Sequence, residues 1–383
     1  MPPLRAPWST VPQIIGSDVS SLRHVNRDGA LQHLRRTPDS VFTASDIADG
    51  LGLSRPTAAR LLTELSESGW ATLELAHSGS AGRPTRTFTI NRRRRLVAAL
   101  DLGANNLLAA VADLSGTVLR RHYAPHGHPG SAELMAQQAA AALLRLVEEE
   151  TGPHGGLSSV VVSLPATVDR DGRILPWSDS PAWATAALPS LLGELLQELP
   201  GLRLRFEGVP LAAAEAELQH GELQAGEDAV FVLAGDITGV APLIEGRPYR
   251  GATGAAGAIG GLDSVDWRAA TAAVLEETGA QTLDELVASG LAGDSDAAAA
   301  LSRYAEHLAP GVEVLVRAFD PARLVLGGCL APAQELVLGP LGAALGRTLG
   351  TTPTMVCASV DHVDAPMLGG LSAALDHVEW GTP

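Results

Sequence analysis

Residues 54–65 restrict the fold of this chain more than any other stretch. Their apolar residues recur at the spacing i, i+3, i+4 and i+7, which puts Ala58, Leu61, Leu62 and Leu65 on one face of a helix. Ser54 suits the N-cap position, and the proline two residues later is tolerated because the first helical turn needs no intrahelical donor. We therefore predict a short helix with one buried face.

The opposite face of this helix carries Arg55, Thr57 and Arg60, all near its N-terminal end. A buried back and an arginine-rich leading edge suit a helix that enters the major groove of DNA. The alternative is an ordinary surface helix with two solvated arginines. The neighbouring sequence distinguishes a DNA-binding helix from an ordinary surface helix.

The sequence before the helix favours the DNA-binding interpretation. Residues 19–36 are predicted to form a first helix, and Thr43 and Asp46 have the spacing of a capping box that opens a second. Gly52 then allows a sharp turn before the third helix. Helix, tight turn and helix are the order of a helix-turn-helix.

The sequence after the helix has the pattern of a wing. Residues 70–75 and 85–90 are predicted strands, and the loop between them contains Gly-Arg-Pro at 82–84. Arg83 at the tip suits a narrow minor groove, where the negative potential is stronger. The sequence therefore predicts a winged helix-turn-helix domain over residues 19–95.

Charge is distributed unevenly along the chain. Residues 1–95 hold 13 arginines against 8 acidic residues, whereas residues 96–383 hold 14 arginines against 35 acidic residues. The acidic part would repel DNA, so a DNA contact is confined to the basic part. Four consecutive arginines at 92–95 join the two parts, and we favour a solvated linker there over a phosphate contact.

Length and composition indicate a soluble globular protein of two or three domains, with 383 residues, of which 46% are hydrophobic and 18% charged. No apolar run reaches membrane-spanning length, and the N-terminus lacks a signal-peptide pattern. Cys329 and Cys357 cannot by themselves form a disulfide framework or a four-ligand metal site. We expect a cytoplasmic protein without a bound metal or cofactor.

A different element order begins at residue 96. Three strands, a helix and a further strand are predicted in that order, which is how an actin-like ATPase lobe opens. In such a lobe an aspartate and a glycine at the first turn face the nucleotide phosphates, and Asp101 and Gly103 stand at that turn. The strands are predicted at residues 96–102, 107–114, 118–123 and 158–164, and the helix at 131–150.

Three motifs together resemble the ROK family, whose bacterial repressors and sugar kinases share one actin-like fold. They are Gly-Leu-Ser-Arg-Pro-Thr at 52–57, Gly-Arg-Pro at 82–84 and Asp-Leu-Gly-Ala at 101–104. The resemblance implies an α/β protein: an N-terminal winged helix-turn-helix followed by a two-lobed, sugar-kinase-like domain at residues 96–383. Residues 1–18, rich in proline, are expected to be a flexible leader.

The residues that a family kinase needs are replaced at the matching positions. The aspartate that takes the proton from the sugar hydroxyl corresponds to Val209, and valine cannot accept a proton. Ile237 and Ala241 replace two glycines of the second phosphate loop, and Asp236 would repel a phosphate. Residues 257–261 lack the family's sugar-contacting glutamate and zinc-binding histidine. We therefore predict no catalytic residue and no metal site.

A small-molecule effector of unknown identity remains possible in the kinase-like domain. Asp179 lies where family members often contact a ligand, and the resemblance offers it as an effector-binding residue. The alternative is a solvated loop aspartate.

The sequence thus predicts a sequence-specific DNA-binding transcriptional regulator, a repressor by resemblance, whose dead kinase-like domain serves for dimerisation and sensing. A homodimer or a dimer of dimers would bind a palindromic DNA operator. One alternative is an active ROK sugar kinase with an added DNA-binding arm, and another is a winged-helix module that binds protein. The residues predicted to contact DNA are Ser54, Arg55, Thr57, Arg60 and Arg83.

Overall fold

A computed structural model describes the protein over residues 19–76, 84–125, 130–151, 156–175, 180–199, 201–260, 262 and 264–378. Within those ranges the chain forms three parts. We call residues 19–90 the head, residues 96–220 the first lobe and residues 229–357 the second lobe.

Three helices and a hairpin build the head. The two strands pair antiparallel, from Ala71 opposite Ile90 to Ala76 opposite Thr85. The order confirms the predicted winged helix-turn-helix. Its elements are α1 (Val19–Arg36), α2 (Ala44–Leu51), α3 (Arg55–Glu67), β1 (Ala71–Ala76) and β2 (Thr85–Ile90).

Polar caps begin the second and third helices of the head. The Thr43 amide donates to the Asp46 carboxylate (2.7 Å), and the Asp46 amide donates to the Thr43 hydroxyl (3.4 Å), so the predicted capping box is present. Gly52 ends α2 in the left-handed region at φ 64°. Ser54 caps α3, and the buried residues of α3 are the four apolar residues that the sequence predicted.

The arginines at 92–95 bind folded elements, so the expectation of a solvated linker is wrong. Arg92 forms an ion pair with Asp39 of the head, and Arg93 lies 3.0 Å from Glu150 of the first lobe. The Glu150 side chain is 6% exposed, so its charge is stabilised by this contact. The linker therefore contacts the head through Arg92 and the first lobe through Arg93.

The first lobe is a five-stranded sheet of order β5-β4-β3-β6-β7 with helices beside it. The first three strands pair antiparallel, and the last two run parallel to β3. The predicted strand and helix order is confirmed. The elements are β3 (Leu96–Leu102), β4 (Asn106–Ala112), β5 (Val118–Pro125), α4 (Ala132–Thr151), β6 (Leu157–Leu164), α5 (Leu188–Leu195), β7 (Arg203–Gly208) and α6 (Val209–His220).

The second lobe repeats this topology with the strand order β10-β9-β8-β11-β12. Two lobes of the same topology are the predicted actin-like architecture. No helix in the described ranges has both the length and the apolar character that a bilayer crossing requires. The elements are β8 (Ala229–Ala234), β9 (Gly239–Ile244), β10 (Arg247–Pro248), α7 (Trp267–Thr278), α8 (Leu283–Leu291), α9 (Ser295–Phe319), β11 (Arg323–Gly328), α10 (Gln334–Leu349) and β12 (Thr354–Cys357).

After the second lobe the chain returns to the first in α11 (Ala365–Asp376), which packs on α6 and on the first sheet. Two adjacent glycines permit this close approach. A Cβ at Gly369 would lie 1.7 Å from the Ala212 carbonyl oxygen of α6, and one at Gly370 would lie 3.1 Å from the Ala99 side chain of β3. The apolar core around α6 and α11 is continuous with that of the head.

We expect Gly369→Ala to destabilise the protein by about 3 kcal/mol or more, because the added methyl group meets backbone that cannot move aside. Denaturant unfolding measures the change. Gly346→Ala is the matched control: Gly346 is exposed on α10 with open space at its Cβ position, so alanine there stabilises by about 0.5–1 kcal/mol. Equal stability of the Gly369→Ala variant and the wild type would contradict the close packing of α6 and α11.

Candidate DNA-binding surface and interlobe cleft

The leading end of α3 is exposed, with its cap already formed. The Ser54 hydroxyl accepts the Thr57 amide (3.3 Å) and lies 2.8 Å from the Thr57 hydroxyl. Both hydroxyls therefore hold the first turn of the helix. Arg55 is exposed and has no hydrogen-bond or ion-pair partner among the described residues. Its guanidinium group can reach a ligand without breaking an internal contact.

Arg60 stands one turn further along and is partly engaged. Its Nε lies 3.8 Å from the Glu64 carboxylate, while its side chain is 68% exposed. Arg23 of α1 lies 2.8 Å from the same carboxylate. We call Arg23, Arg55 and Arg60 the arginine face. Sequence reasoning missed Arg23, because only tertiary packing brings α1 beside α3.

Two of the predicted site residues cannot be placed. Arg83 at the wing tip and Asp179 of the suggested effector site lie outside the described residues. Both stay predictions from the sequence.

A cavity of about 590 Å³ separates the two lobes. The first lobe contributes Asp101 and residues 103–106, and the second lobe contributes residues 233–240 and 256–260. The first turn of α6 closes one end. The cavity thus lies where the strands of both sheets finish, which is the usual place for a ligand site in sheets of this kind.

The Asp236 carboxylate bridges the lobes across this cleft. It accepts a hydrogen bond from the Asn105 side-chain amide of the first lobe (2.7 Å). Its other oxygen accepts the backbone N–H of Leu283, the first residue of α8 (3.1 Å). A helix N-terminus attracts anions. The Asp236 carboxylate therefore occupies the N-terminus of α8, where an anionic ligand could otherwise bind.

The position of a kinase base holds no proton acceptor. Val209 is the first residue of α6 and lines the cleft. The nearest carboxylate along the chain, Glu207, is 2% exposed and accepts a hydrogen bond from Arg250 (2.6 Å). That carboxylate does not line the cavity. The α6 end of the cleft is therefore apolar.

Asp101 is the buried polar residue of the cleft. It is the last residue but one of β3, lines the cavity and is 4% exposed. Its Oδ1 has no hydrogen-bond partner among the described residues. Burial raises the pKa of the Asp101 carboxyl group to about 7, because the charged form loses its hydration. An unsatisfied buried carboxyl group is costly and is commonly retained at functional sites.

The charge of the cleft is negative. Asp101, Asp236 and Asp284 line it, and the one basic side chain among the described lining residues is His362. His362 hydrogen-bonds to Asp284 (2.8 Å), which raises the pKa of the imidazole. The sequence contains no lysine. Nor does any group of three or more histidine, cysteine, aspartate or glutamate side chains converge among the described residues.

Helix α11 connects the cleft to the head. Its first turn lines the cleft through Pro366, directly after His362 and Val363. At its other end, Asp376 lies 3.1 Å from Arg35 of α1. The Arg35 side chain is 7% exposed, whereas that of Asp376 is 42% exposed, so loss of the carboxylate would leave the nearly buried guanidinium charge without this partner. Helix α11 therefore contacts the cleft at one end and the head at the other.

Two family models match parts of the chain. Residues 97–269 match the ROK family, and residues 30–74 match the IclR helix-turn-helix domain. The xylose repressor of Bacillus subtilis (strain 168) is 19% identical over 384 residues, covering 94% of this chain and 97% of the repressor.

Two solved structures have the same fold. A ROK family transcriptional regulator, described as a homologue of the E. coli MLC protein, superposes with a TM-score of 0.69 at 16% identity, covering 92% of this chain and 97% of that one. A ROK family glucokinase from Streptomyces griseus, solved with glucose and AMPPNP, superposes with a TM-score of 0.59 at 20% identity, covering 73% and 99%. The glucokinase likeness leaves about a quarter of this chain uncovered.

We expect Asp101→Asn to change how stability depends on pH. The folded pKa of about 7 lies above the ordinary value of 3.8, so the wild type loses stability as pH rises through that interval and the buried carboxyl group ionises. Asparagine cannot ionise, so the variant should gain a few kcal/mol relative to the wild type at about pH 8 and nothing at about pH 4. Urea unfolding at both pH values measures the difference.

The exposed Asp171, changed to asparagine, is the control and should show no such trend. A pH-independent difference between wild type and Asp101→Asn would contradict the burial of an ionisable group in the cleft.

Proposed function

The chain combines an IclR-type helix-turn-helix with a ROK family domain, and from this combination we propose that it is a transcriptional repressor that binds DNA through α3. The observation that carries the proposal is the exposed Arg55, which has no partner among the described residues and lies at the leading end of a helix whose opposite face is buried. The xylose repressor of similar length supports the same function.

The residues of the proposed DNA contact have different roles. Arg55 enters the major groove and reads a base edge, since a free guanidinium group can bind guanine in a bidentate manner. Arg60 and Arg23, which share Glu64, lie against phosphates. Ser54 and Thr57 keep the first turn in place. Arg83 inserts into the adjacent minor groove.

The larger domain serves regulation in this proposal. A homodimer sets two heads on a palindromic operator, with half-sites about one or two helical turns apart. A ligand in the interlobe cleft acts on the head through α11, because that helix lines the cleft at one end and binds Arg35 at the other. The coupling is mechanical, from one rigid element to the next.

Phosphoryl transfer is not part of the proposed function. A transcriptional regulator and a sugar kinase both share this fold, so the fold alone does not decide about activity. Phosphoryl transfer depends on positioning and electrostatics. Val209 offers no base, and the Asp236 carboxylate stands between Asn105 and the start of α8, where it repels a phosphate.

We expect Arg55→Ala to weaken specific DNA binding by about 1–3 kcal/mol, because a bidentate base contact is lost. Operator sequences selected from a random duplex pool supply the probe, and fluorescence anisotropy measures the affinity. Arg145→Ala is the control, since Arg145 is an exposed arginine of α4 with a glutamate at i+4, far from the head in sequence.

Salt dependence separates this function from protein binding by the head. Binding to duplex DNA should weaken steeply as salt rises, because phosphate contacts release counterions. Unchanged operator affinity in both Arg55→Ala and Arg83→Ala would refute the proposed interface. Absence of salt-dependent DNA binding would favour a protein-interaction module.

We expect no hexose-dependent formation of ADP when the protein is incubated with ATP, magnesium and a panel of hexoses, because Val209 cannot accept the sugar proton. A coupled assay for ADP measures turnover, with the Streptomyces griseus glucokinase as positive control. Turnover that depends on the hexose would overturn the argument and favour an active kinase with a DNA-binding arm.

A further inference from the structure

The lining of the cleft disfavours anionic ligands. Its described lining includes three aspartates and no arginine, and its single basic residue, His362, is already bonded to Asp284. Low-dielectric walls focus the electric field of these carboxylates into the cavity. A phosphate or carboxylate ligand would enter a negative potential and find no cation to compensate it.

The three aspartates are not equivalent. Asp236 is held by the Asn105 amide and the Leu283 amide, and Asp284 is held by His362. Asp101 is different, because it lines the cleft at 4% exposure and its Oδ1 has no partner among the residues that the structure describes. This carboxyl group is the acceptor that the protein leaves unsatisfied.

A ligand that supplies a positive charge to Asp101 would satisfy it. A buried carboxylate is stabilised most by a cation that also donates hydrogen bonds, as an ammonium group does. The ammonium group would also be drawn by Asp236. A neutral hydroxyl group donates one hydrogen bond but brings no charge, so it compensates the carboxylate less.

The size and the remaining lining limit the ligand further. A volume of about 590 Å³ falls in the range of pockets that enclose small organic molecules. Asn106, Thr167 and Tyr123 add neutral polar side chains to the lining, and these suit hydroxyl groups.

We propose that the interlobe cleft binds a small hydroxylated amine, with its ammonium group on the Asp101 carboxylate. This inference deepens the proposed function, because it assigns a chemical class to the ligand of the regulator.

Three probes with the same pyranose ring test it: glucosamine carries an ammonium group, glucose carries hydroxyl groups alone, and glucuronate carries a carboxylate. Calorimetry on the full chain without DNA measures binding at neutral pH. We expect glucosamine to bind about tenfold or more tightly than glucose, and glucuronate to be rejected. The comparison uses the wild type, so it does not depend on the folding of a variant.

Asp101→Asn tests the assignment to that residue. The variant should lose the preference for glucosamine over glucose, whereas Asp171→Asn, which changes an exposed aspartate outside the cleft, should keep it. Equal or tighter binding of glucose by the wild type, an unchanged preference in Asp101→Asn, or no binding of any probe at millimolar concentration would each overturn the proposal.

The readout distinguishes this inference from the proposed function. Ligand binding is measured on the protein alone, and operator binding is measured on DNA without ligand. A protein that binds its operator but fails the three-probe test retains the repressor function and loses the amine assignment. A protein that prefers glucosamine but does not bind DNA retains the amine assignment and loses the repressor function.

Discussion

The close packing of α6 against α11 is the contact on which the rest of the structure depends. Gly369 lets the two helices meet at backbone distance, and Gly370 lets α11 lie on β3. Both helices begin at the cleft, and α11 ends at the ion pair between Asp376 and Arg35 of the head. A side chain at Gly369 would push α11 away from the α6 backbone.

The interlobe cleft lies where the strands of both sheets end, the usual place for a ligand site, and its described lining is acidic. Val209 leaves its α6 end apolar, and Asp236 fills the donors of the α8 N-terminus with a carboxylate that belongs to the protein. Because Asn105 of the opposite lobe binds the same carboxylate, the chain joins its two lobes with an internal anion. Among the described residues Asp101 Oδ1 has no hydrogen-bond partner, and the proposed ligand class rests on this atom.

The head and the two lobes also differ in charge. The head carries exposed arginines on α1 and α3, whereas the body is strongly acidic. The junction holds the two together through Arg93 and Glu150, and through Arg35 and Asp376, each with one nearly buried partner. Arg93, which was expected in a solvated linker, thus binds the first lobe instead.

The sequence alone determined the features that depend on neighbours in the chain. Helical periodicity and caps are local, so the buried face of α3, the capping box at Thr43 and the order of strands followed from the residues. Motif comparison located Val209. The apolar pattern was less informative for α5 (Leu188–Leu195), which lies between longer elements and was not predicted.

Only the tertiary structure decided which distant residues meet. Arg23 joins α3 across 41 positions, Asn105 reaches Asp236 across 131, and Arg35 reaches Asp376 across 341. Such pairs leave no periodic signal, because the packing of whole elements sets their distance. The helix at residues 54–65 could therefore be predicted from the sequence, whereas the pairs that join the head to α11 and the two lobes to each other could not.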